Sequence, residues 1–447
     1  MRTTPSETLT SDEHLRRRLW THLSDARSRT DELFARIRSD AMFERPIPER
    51  HRFIFYLGHL EAFDWNMVCR NSFGMDSINA DLDRLFAFGI DPTNGNLPDD
   101  KKSDWPSIPE IMRYNSSVRQ IVDSCLTQVA FGSNARPYLT DGFIFNVAIE
   151  HRLMHAETLA YMLHSLPYAQ KQSGPVPAFS GDAPPRPQRV HIPAGWATLG
   201  LERSQGTFGW DNEFQTDCVF VPEFQMDVYN VTNAQYLEFV RAGGYEDKAV
   251  WTDDAWNWIR SSGHQAPKFW KKDGERWWYR GMFAEIPLPA AAPVYVSHAE
   301  ASAYARWAGQ ALPTEAQYHR AAFGSVEGPE RQYPWGDEKP QPQHGNFDSR
   351  QWDPSRVDAH PAGRSAFGVA NLMSNGWEWT STVFGPFPGF QPFPFYPGYS
   401  ADFFDGKHFV MKGASARTAR HLLRRSFRNW FQPFYPHIYA TFRCVQT

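Results

Sequence analysis

Cysteine is scarce in this chain of 447 residues, which contains four: Cys69, Cys125, Cys218 and Cys444. They lie far apart and none has CxxC spacing, so the sequence indicates neither a disulfide framework nor a thiolate zinc site. Because such sparing use of cysteine is typical of a reducing compartment, we expect a cytoplasmic protein.

The chain also lacks long apolar runs and an excess of one charge. No uninterrupted apolar segment is long enough to span a bilayer, and residues 1–18 are polar, without the apolar stretch of a signal peptide. The 46 basic and 50 acidic residues are dispersed and give a formal net charge of -4. Such a surface does not select phosphate backbones, so we expect neither a membrane nor a nucleic acid as partner.

The periodicity of the apolar residues divides the chain into two regions. Helical spacing recurs at 12–38, 49–69, 108–129 and 142–166, which predicts a four-helix bundle at residues 1–170. A Pro-, Gly- and Ser-rich connector follows at 171–189. From 190 to 447, we predict an irregular α+β domain with β-like runs at 190–192, 218–221 and 224–228 and short helices at 233–241, 297–308 and 314–323.

Aromatic residues are abundant, at 15% of the chain, and they are concentrated in this second region. The simplest interpretation is that large rings fill an irregular core. The block GPFPGFQPFPFYPGY at 385–399 has too many prolines for a regular helix or a central strand. We therefore expect a long loop that is packed by its own rings, and such loops are often functional.

Three histidines of the bundle are candidate metal ligands. His151 and His155, in EHRLMHAETL, lie four residues apart on a predicted helix, so both imidazoles project from one face. His59, in FYLGHLEAF, lies on the second helix and can point at this pair across the bundle core. Three neutral imidazoles would leave coordination positions open for oxygen and substrate. A surface-facing pair, or a zinc or nickel site, fits the same residues.

Carboxylates lie near these histidines in the sequence, namely Glu61, Glu150 and Glu157. A carboxylate can orient the N–H group of a metal-bound imidazole, although a solvated helix face is the simpler interpretation of each of the three. We do not assign them as ligands.

The motifs of both regions together resemble one enzyme family. GHLEAF followed by HRLMHAETL is similar to the metal-binding domain of the ergothioneine-biosynthesis sulfoxide synthases, a DinB-like four-helix bundle with three histidines. The second region resembles the sulfatase-modifying-factor fold, a C-type-lectin-like domain also found in the formylglycine-generating enzyme, through YNVTNAQY, LPTEAQYHRAA, YPWG, NGWEWT and FRNWF. These matches cover most of the chain in the order of the family.

The resemblance implies a non-haem enzyme that holds Fe(II) with His59, His151 and His155 and consumes O2. Its substrates would be hercynine, which is Nα-trimethylhistidine, and a thiol, and its product would be a sulfoxide bonded to imidazole C2. A quaternary ammonium group needs an aromatic or polar cage, which suits the Trp-rich second domain. We expect the active site between the two domains, because small-molecule sites concentrate at such interfaces.

The family's other functional positions map onto the second domain. Asn429 and Trp430, in FRNWF, correspond to the motif that lines the hercynine pocket. Tyr396, in FPFYPGY, is our candidate for the active-site tyrosine, which protonates or reduces the oxygen intermediate. Trp377 and Trp379, in NGWEWT, are expected in the core of the lectin-like fold.

The chain departs from the family pattern where the sulfur donor binds. Phe431 replaces the aspartate of members that use γ-glutamylcysteine, and the arginines of those members are absent from DPTNGNLPDDKKSDWP. Since a glutamyl carboxylate has no evident clamp, a smaller donor such as cysteine is favoured. Met154 replaces a Gln that some members place just before the last His ligand. A pocket without arginines also suits a selenosugar, the donor of the related selenoneine synthase branch.

Three further functions compete with this interpretation. An oxidase of the formylglycine-generating type needs paired reactive cysteines, whereas Cys218 and Cys444 are isolated. A zinc-dependent thiol transferase would use the three histidines without O2, and a non-catalytic binding module would consume no O2 with any substrate. Metal content and O2 dependence discriminate among these functions.

Overall fold

The computed structural model describes residues 10–87, 100–132, 138–177, 183–203 and 207–446, which divide into two compact units. Unit 1 comprises the described residues up to Gln172 together with Thr207 and Phe208, and unit 2 comprises the remainder. Residues 178–182 of the predicted connector and residues 91–99 of the segment without arginines lie outside the described residues. The domain boundaries at 170 and 190 stay a prediction. No helix within the described ranges is long and apolar enough to cross a membrane.

Unit 1 is a helical bundle in which every predicted long helix is present. Its helices are α1 (Ser11–Ala35), α2 (Phe53–Asp64), α3 (Ala80–Leu85), α4 (Ile108–Gln128) and α5 (Phe143–Ser165). Helix α1 packs against α5, and α2 packs against α4 and α5. The predicted four-helix bundle is therefore confirmed, with the short α3 as an addition.

Helix α2 lies at the centre of unit 1, because all 12 of its residues are buried. A helix that is apolar on every side belongs in a core, whereas α1 and α4 bury one face each. Beyond Asp64 the chain continues as a π-helical segment, Trp65–Ser72. Its backbone hydrogen bonds span five residues, one more than in an α-helix, as from Phe73 N–H to Val68 C=O. The regular α-helix thus ends five residues before the predicted position at Cys69.

Unit 2 is built from short strands and helices, which confirms the predicted α+β class. In chain order they are β1 (Arg189–Ile192), β2 (Gly195–Leu199), β3 (Asp217–Val221), β4 (Phe224–Asp227), α6 (Asn233–Arg241), α7 (Asp253–Ser262), β5 (Trp270–Asp273), β6 (Arg276–Arg280), β7 (Glu285–Pro287), α8 (His298–Trp307), α9 (Glu315–Phe323), β8 (Gly376–Val383), β9 (Phe409–Ala414), β10 (Asn429–Phe431), β11 (Ala440–Thr441) and β12 (Val445–Gln446). The predicted helices and β-like runs are all present, whereas α7 and the strands after β4 were not predicted.

The strands of unit 2 pair into four small sheets within the described residues. Their orders are β1-β4-β12, β10-β9-β8-β11, β2-β3 and β5-β6-β7. Strand β11 runs parallel to β8, and the last strand, β12, pairs with β4. Trp377 and Trp379 of β8 are 3% and 0% exposed, so their expected place in the core is confirmed.

A buried ion pair fixes the C-terminal segment to β8. Arg443 donates to the two carboxylate oxygens of Glu378 at 2.6 and 2.7 Å, and both side chains are completely buried. The same guanidinium donates to the carbonyl oxygens of Asp227, Val228 and Ala370. The guanidinium N–H groups of Arg443 thus all have hydrogen-bond acceptors. A buried charge is tolerated only when it is paired and hydrogen-bonded in this way.

Replacing Glu378 with Gln should lower the free energy of unfolding by about 3–5 kcal/mol, because Arg443 would stay buried without a counter-ion. Urea unfolding followed by tryptophan fluorescence measures this loss. The control is Glu285→Gln, which removes the partner of Lys271 in an exposed pair and should cost less than about 1 kcal/mol. Equal losses in the two variants would contradict the role assigned to Glu378.

Candidate active site

Three buried histidines converge in unit 1. His59 comes from α2, and His151 and His155 come from consecutive turns of α5. Each offers one ring nitrogen within 4.8 Å of the other two, and no side chain is more than 4% exposed. The structure brings the three predicted ligands together, and the alternative of a surface-facing pair is wrong.

The imidazole of His59 has a defined tautomer. Its Nδ1 lies 2.8 Å from the carbonyl oxygen of Phe86, and a carbonyl only accepts, so Nδ1 carries the proton. Its Nε2 is buried and has no hydrogen-bond partner among the described residues. This unprotonated nitrogen is the atom that His59 can offer to a metal ion.

The two histidines of α5 present their Nε2 atoms to each other, 3.1 Å apart. Two nitrogens that lie about 2.1 Å from one ion and subtend a right angle there are about 3 Å apart. The observed separation therefore fits two adjacent positions around a single ion. The Nδ1 atoms of both rings are buried and have no hydrogen-bond partner within the described ranges.

Burial keeps the triad neutral. It lowers the pKa of His59 to about 4, because an imidazolium would lose its hydration in the core. Burial, reinforced by the neighbouring imidazoles, also holds the pKa of His151 and of His155 well below the usual range. All three rings are thus uncharged at pH 7, which is the form that coordinates metals.

Aromatic side chains fix the planes of these imidazoles. Phe63 stacks on His151 with ring centroids 3.4 Å apart and an interplanar angle of 7°. Phe55 stacks on His59 at 4.8 Å and 23°. Such packing orients the rings and excludes water from the faces that it covers.

An ion-pair network beside the triad joins the same two helices. Arg152 of α5 donates to Glu61 at 2.6 Å and to Asp64 at 2.7 Å, both on α2, and none of the three side chains is more than 1% exposed. Arg119 of α4 also donates to Glu61, at 2.8 Å. The interpretation of Glu61 as part of a solvated face was wrong, and Glu150 is buried as well.

Replacing Arg152 with Met should lower the free energy of unfolding by about 3–5 kcal/mol, since Glu61 and Asp64 would stay buried with too few counter-charges. Urea unfolding of the metal-free protein measures this loss. Arg29→Met is the matched control, because Arg29 pairs with the exposed Asp25 one turn away on α1 and should contribute less than about 0.5 kcal/mol. A loss for Arg152→Met as small as that of the control would refute the network's role.

Met154 lies with the triad in unit 1, whereas the other predicted site residues lie in unit 2. Asn429 and Trp430 begin β10 and are half-buried. Trp430 stacks on Phe384 at 4.2 Å and 6°, and its backbone N–H donates to the side chain of Asn429 at 2.9 Å. The stacking thus fixes the plane of the Trp430 indole, and the side chain stays partly accessible to solvent.

Tyr396 is connected to Trp430 through one ring that the sequence analysis missed, that of Tyr399. The Tyr399 ring lies 5.5 Å from Tyr396 and 5.6 Å from Trp430, and it stacks on Trp210 at 4.0 Å. The proline-rich block is irregular as expected, but it packs against Trp210 as well as against its own rings. The sequence YPGY could have indicated Tyr399, because its Pro-Gly pair predicts a turn with one tyrosine at each end.

Arg428, which precedes Asn429, supports this aromatic cluster and was also missed. It forms a bidentate pair with Glu315 at 3.0 and 3.1 Å, and both side chains are 3% exposed. Its guanidinium lies over Phe384, 4.9 Å from the ring centroid. Arg428 therefore holds the ring on which Trp430 stacks.

Phe431 adds an apolar surface after Trp430. It is half-buried and stacks on Tyr435 at 5.2 Å and 16°. Tyr435 in turn lies 5.2 Å from the ring of His437. Phe431, Tyr435 and His437 therefore form a row of three neighbouring rings.

Two known protein families match the two regions of the chain. Residues 22–159 match the model of the DinB superfamily, and residues 177–447 match that of the sulfatase-modifying factor enzyme 1-like domain. The chain is thus a DinB-like helical bundle followed by a domain of the sulfatase-modifying-factor type.

Three relatives narrow this class. The chain is 35% identical to the hercynine oxygenase of Mycolicibacterium thermoresistibile over 74% of this chain and 73% of that protein. It is 35% identical to the hercynine oxygenase of Mycobacterium tuberculosis over 69% and 72% of the two chains. It is 28% identical to ergothioneine biosynthesis protein 1 of Neurospora crassa over 91% of this chain and 55% of that protein. The chain belongs to this ergothioneine-biosynthesis family and is an oxidoreductase, which confirms the resemblance seen in its motifs.

Proposed function

We propose that the chain is an Fe(II)- and O2-dependent sulfoxide synthase that joins sulfur to imidazole C2 of hercynine. The observation that carries this proposal is the convergence of three buried, neutral imidazoles in a chain whose relatives are hercynine oxygenases. In the balanced reaction, hercynine, a thiol and O2 give the sulfoxide and water. The C–H and S–H bonds break, a C–S bond forms, and one oxygen atom enters each product.

The triad suits Fe(II) in number and charge. Among the described residues, its donor set is limited to the nitrogens of His59, His151 and His155. Because these ligands are neutral, the dipositive charge of the ion is left to attract an anionic thiolate or selenolate. When bound, Fe(II) would supply open coordination positions and the redox chemistry for the reaction of O2 with this donor.

Unit 2 is proposed to bind hercynine through Asn429 and Trp430. The face of an indole attracts a quaternary ammonium group, and that of Trp430 is held in one plane by Phe384. The amide of Asn429 can accept or donate hydrogen bonds to the carboxylate or the imidazole of the substrate. The stacked rings would exclude water from the bound betaine.

Tyr396 is proposed to donate a proton to the oxygen atom of O2 that leaves as water and then to be reprotonated by a proton released from the thiol or from imidazole C2. A half-buried phenol suits this role, because it can meet the substrate and still be shielded from bulk solvent. Tyr399 would act through its contacts with Tyr396 and Trp430, as a positioning residue.

The donor is proposed to be cysteine, with a selenosugar as the alternative that would give a C–Se bond. Phe431 and Met154 place no charge at two of the positions where the sequence analysis expects a departure from the family pattern. Neither residue can clamp a distant carboxylate. Cys218 is exposed, Cys444 is buried, and neither is in a disulfide, which gives no support to the formylglycine-generating alternative.

The direct test is O2 uptake by the protein reconstituted anaerobically with Fe(II), followed by mass analysis of the products. Hercynine is supplied with cysteine, γ-glutamylcysteine or a selenosugar in separate reactions. We expect uptake to require hercynine and one donor, and the mass of the adduct identifies that donor. Absence of uptake in every reaction, with zinc retained by the protein, would instead support the thiol transferase.

His155→Ala should abolish both Fe(II) binding and O2 uptake, because it removes one of three ligands and no carboxylate joins the group among the residues that the structure describes. Metal content after gel filtration and O2 electrode traces measure the two effects. His14→Ala is the control, since His14 lies on the exposed face of α1 and should leave both unchanged. Full activity in His155→Ala would refute the ligand assignment.

Tyr396→Phe should shift the products from the hercynine adduct toward the dioxygenated donor, in which both oxygen atoms of O2 enter the thiol. The reason is that loss of the phenolic proton disfavours release of one oxygen atom as water. Product ratios by mass spectrometry measure the shift, with Tyr399→Phe as the comparison. An unchanged ratio in Tyr396→Phe would remove Tyr396 from the mechanism.

A further inference from the structure

His59 is restrained from two sides, and both restraints belong to residues outside the triad. The Phe86 carbonyl oxygen accepts from Nδ1 at 2.8 Å and fixes the tautomer. The Phe55 ring stacks on the imidazole at 4.8 Å and fixes its plane. Whatever holds these two phenylalanines therefore sets the position of the His59 Nε2 atom.

One indole contacts both phenylalanines. The ring of Trp105 lies 6.1 Å from that of Phe86, at 26°, and 6.2 Å from that of Phe55, at 73°. Trp105 is half-buried and lies just before α4, whereas Phe55 is in the first turn of α2 and Phe86 follows α3. The indole thus links three segments of unit 1 at the position of His59.

Trp105 is itself anchored by Asp100. Its Nε1–H donates to Oδ2 of Asp100 at 2.7 Å, and that carboxylate also accepts from Arg52 at 2.6 Å and from Arg45. The side chain of Asp100 is 10% exposed. Arg52 is the residue directly before α2, so one carboxylate ties the start of α2 to the segment that carries the indole.

The packing leaves little freedom for Phe86. A Cβ atom placed on Gly58, the residue before His59, would lie 2.3 Å from the Phe86 ring. The ring therefore contacts the α2 backbone directly, and glycine is required at this position. A displacement of Phe86 would carry with it the carbonyl oxygen that holds His59.

We propose that Trp105, anchored by Asp100, is a positioning residue that orients His59 for metal binding. This inference rests on the proposed role of the triad as the metal site. It predicts that loss of the anchor changes the hydrogen bond of His59 before any metal is added. Groups that orient ligands in this way commonly change metal affinity 10–100-fold, roughly, when they are removed.

The test compares Asp100→Ala and Trp105→Phe with the control Asp104→Ala. Asp104 lies in the same turn and is exposed, and its carboxylate accepts from the backbone N–H of Lys101, whereas the Trp105 indole donates to Asp100. Trp105→Phe keeps an aromatic ring but removes the N–H donor, so it stays informative if Asp100→Ala folds poorly. Two quantities are measured, the imidazole N–H signal of His59 in metal-free, ¹⁵N-histidine-labelled protein and the Co(II) affinity from visible absorption.

We expect the His59 N–H proton to exchange with water faster in both variants, and Co(II) to bind about tenfold more weakly in Asp100→Ala. Asp104→Ala should match the wild type in both measurements. If the two variants lower thermal stability but leave the N–H signal and the Co(II) affinity unchanged, Trp105 has a structural role alone and the inference is overturned.

The measurements separate this inference from the proposed function. Neither uses O2, hercynine or a donor. Wild-type protein that binds Co(II) as expected, responds to the variants and yet consumes no O2 would leave the inference intact and contradict the function. Normal O2 uptake with unaltered Co(II) affinity in both variants would contradict the inference alone.

Discussion

The buried charge network of Arg152, Glu61 and Asp64 is the constraint on which the convergence of the three histidines depends. Removing three charged groups from water is costly, and the cost is offset only where each carboxylate meets the guanidinium at hydrogen-bond distance. The contacts of Arg152 with Glu61 and Asp64 therefore tie α5 to α2 in the observed register. Since Arg152 adjoins His151 and Glu61 lies two residues after His59, the same register brings the imidazoles together.

The two units supply different chemistry. Unit 1 offers nitrogen ligands that burial keeps neutral, in a core where rings such as Phe63 cover the imidazole faces. Unit 2 offers the indole of Trp430, which stacks on Phe384 beneath the Arg428 guanidinium, and the neighbouring phenol groups of Tyr396 and Tyr399. Most aromatic side chains of unit 2 fill its core, whereas Trp430 and Tyr396 stay half-buried and are the rings available to the proposed substrate.

The long helices and the histidine pair of α5 could be predicted from the sequence, because the periodicity of apolar residues indicates local secondary structure. The i, i+4 spacing of His151 and His155 defined one helix face, and the apolar period located the long helices. The role of Glu61 could not be read in this way, because its partner Arg152 lies 91 residues away. Tyr399 was missed because its contacts come from a proline-rich loop without a period. The hairpin β5-β6 was detectable, since Asp273 and Gly274 form a turn signal between aromatic runs.

The proposed function requires that the imidazoles of α2 and α5 bind one Fe(II) ion. X-ray absorption of the anaerobic, Fe(II)-loaded protein measures this coordination. The account predicts three imidazole nitrogens at about 2.1 Å, and a sulfur or selenium neighbour after addition of the donor and hercynine. An iron spectrum without imidazole scattering, or one that is unchanged in His59→Ala, would contradict the account.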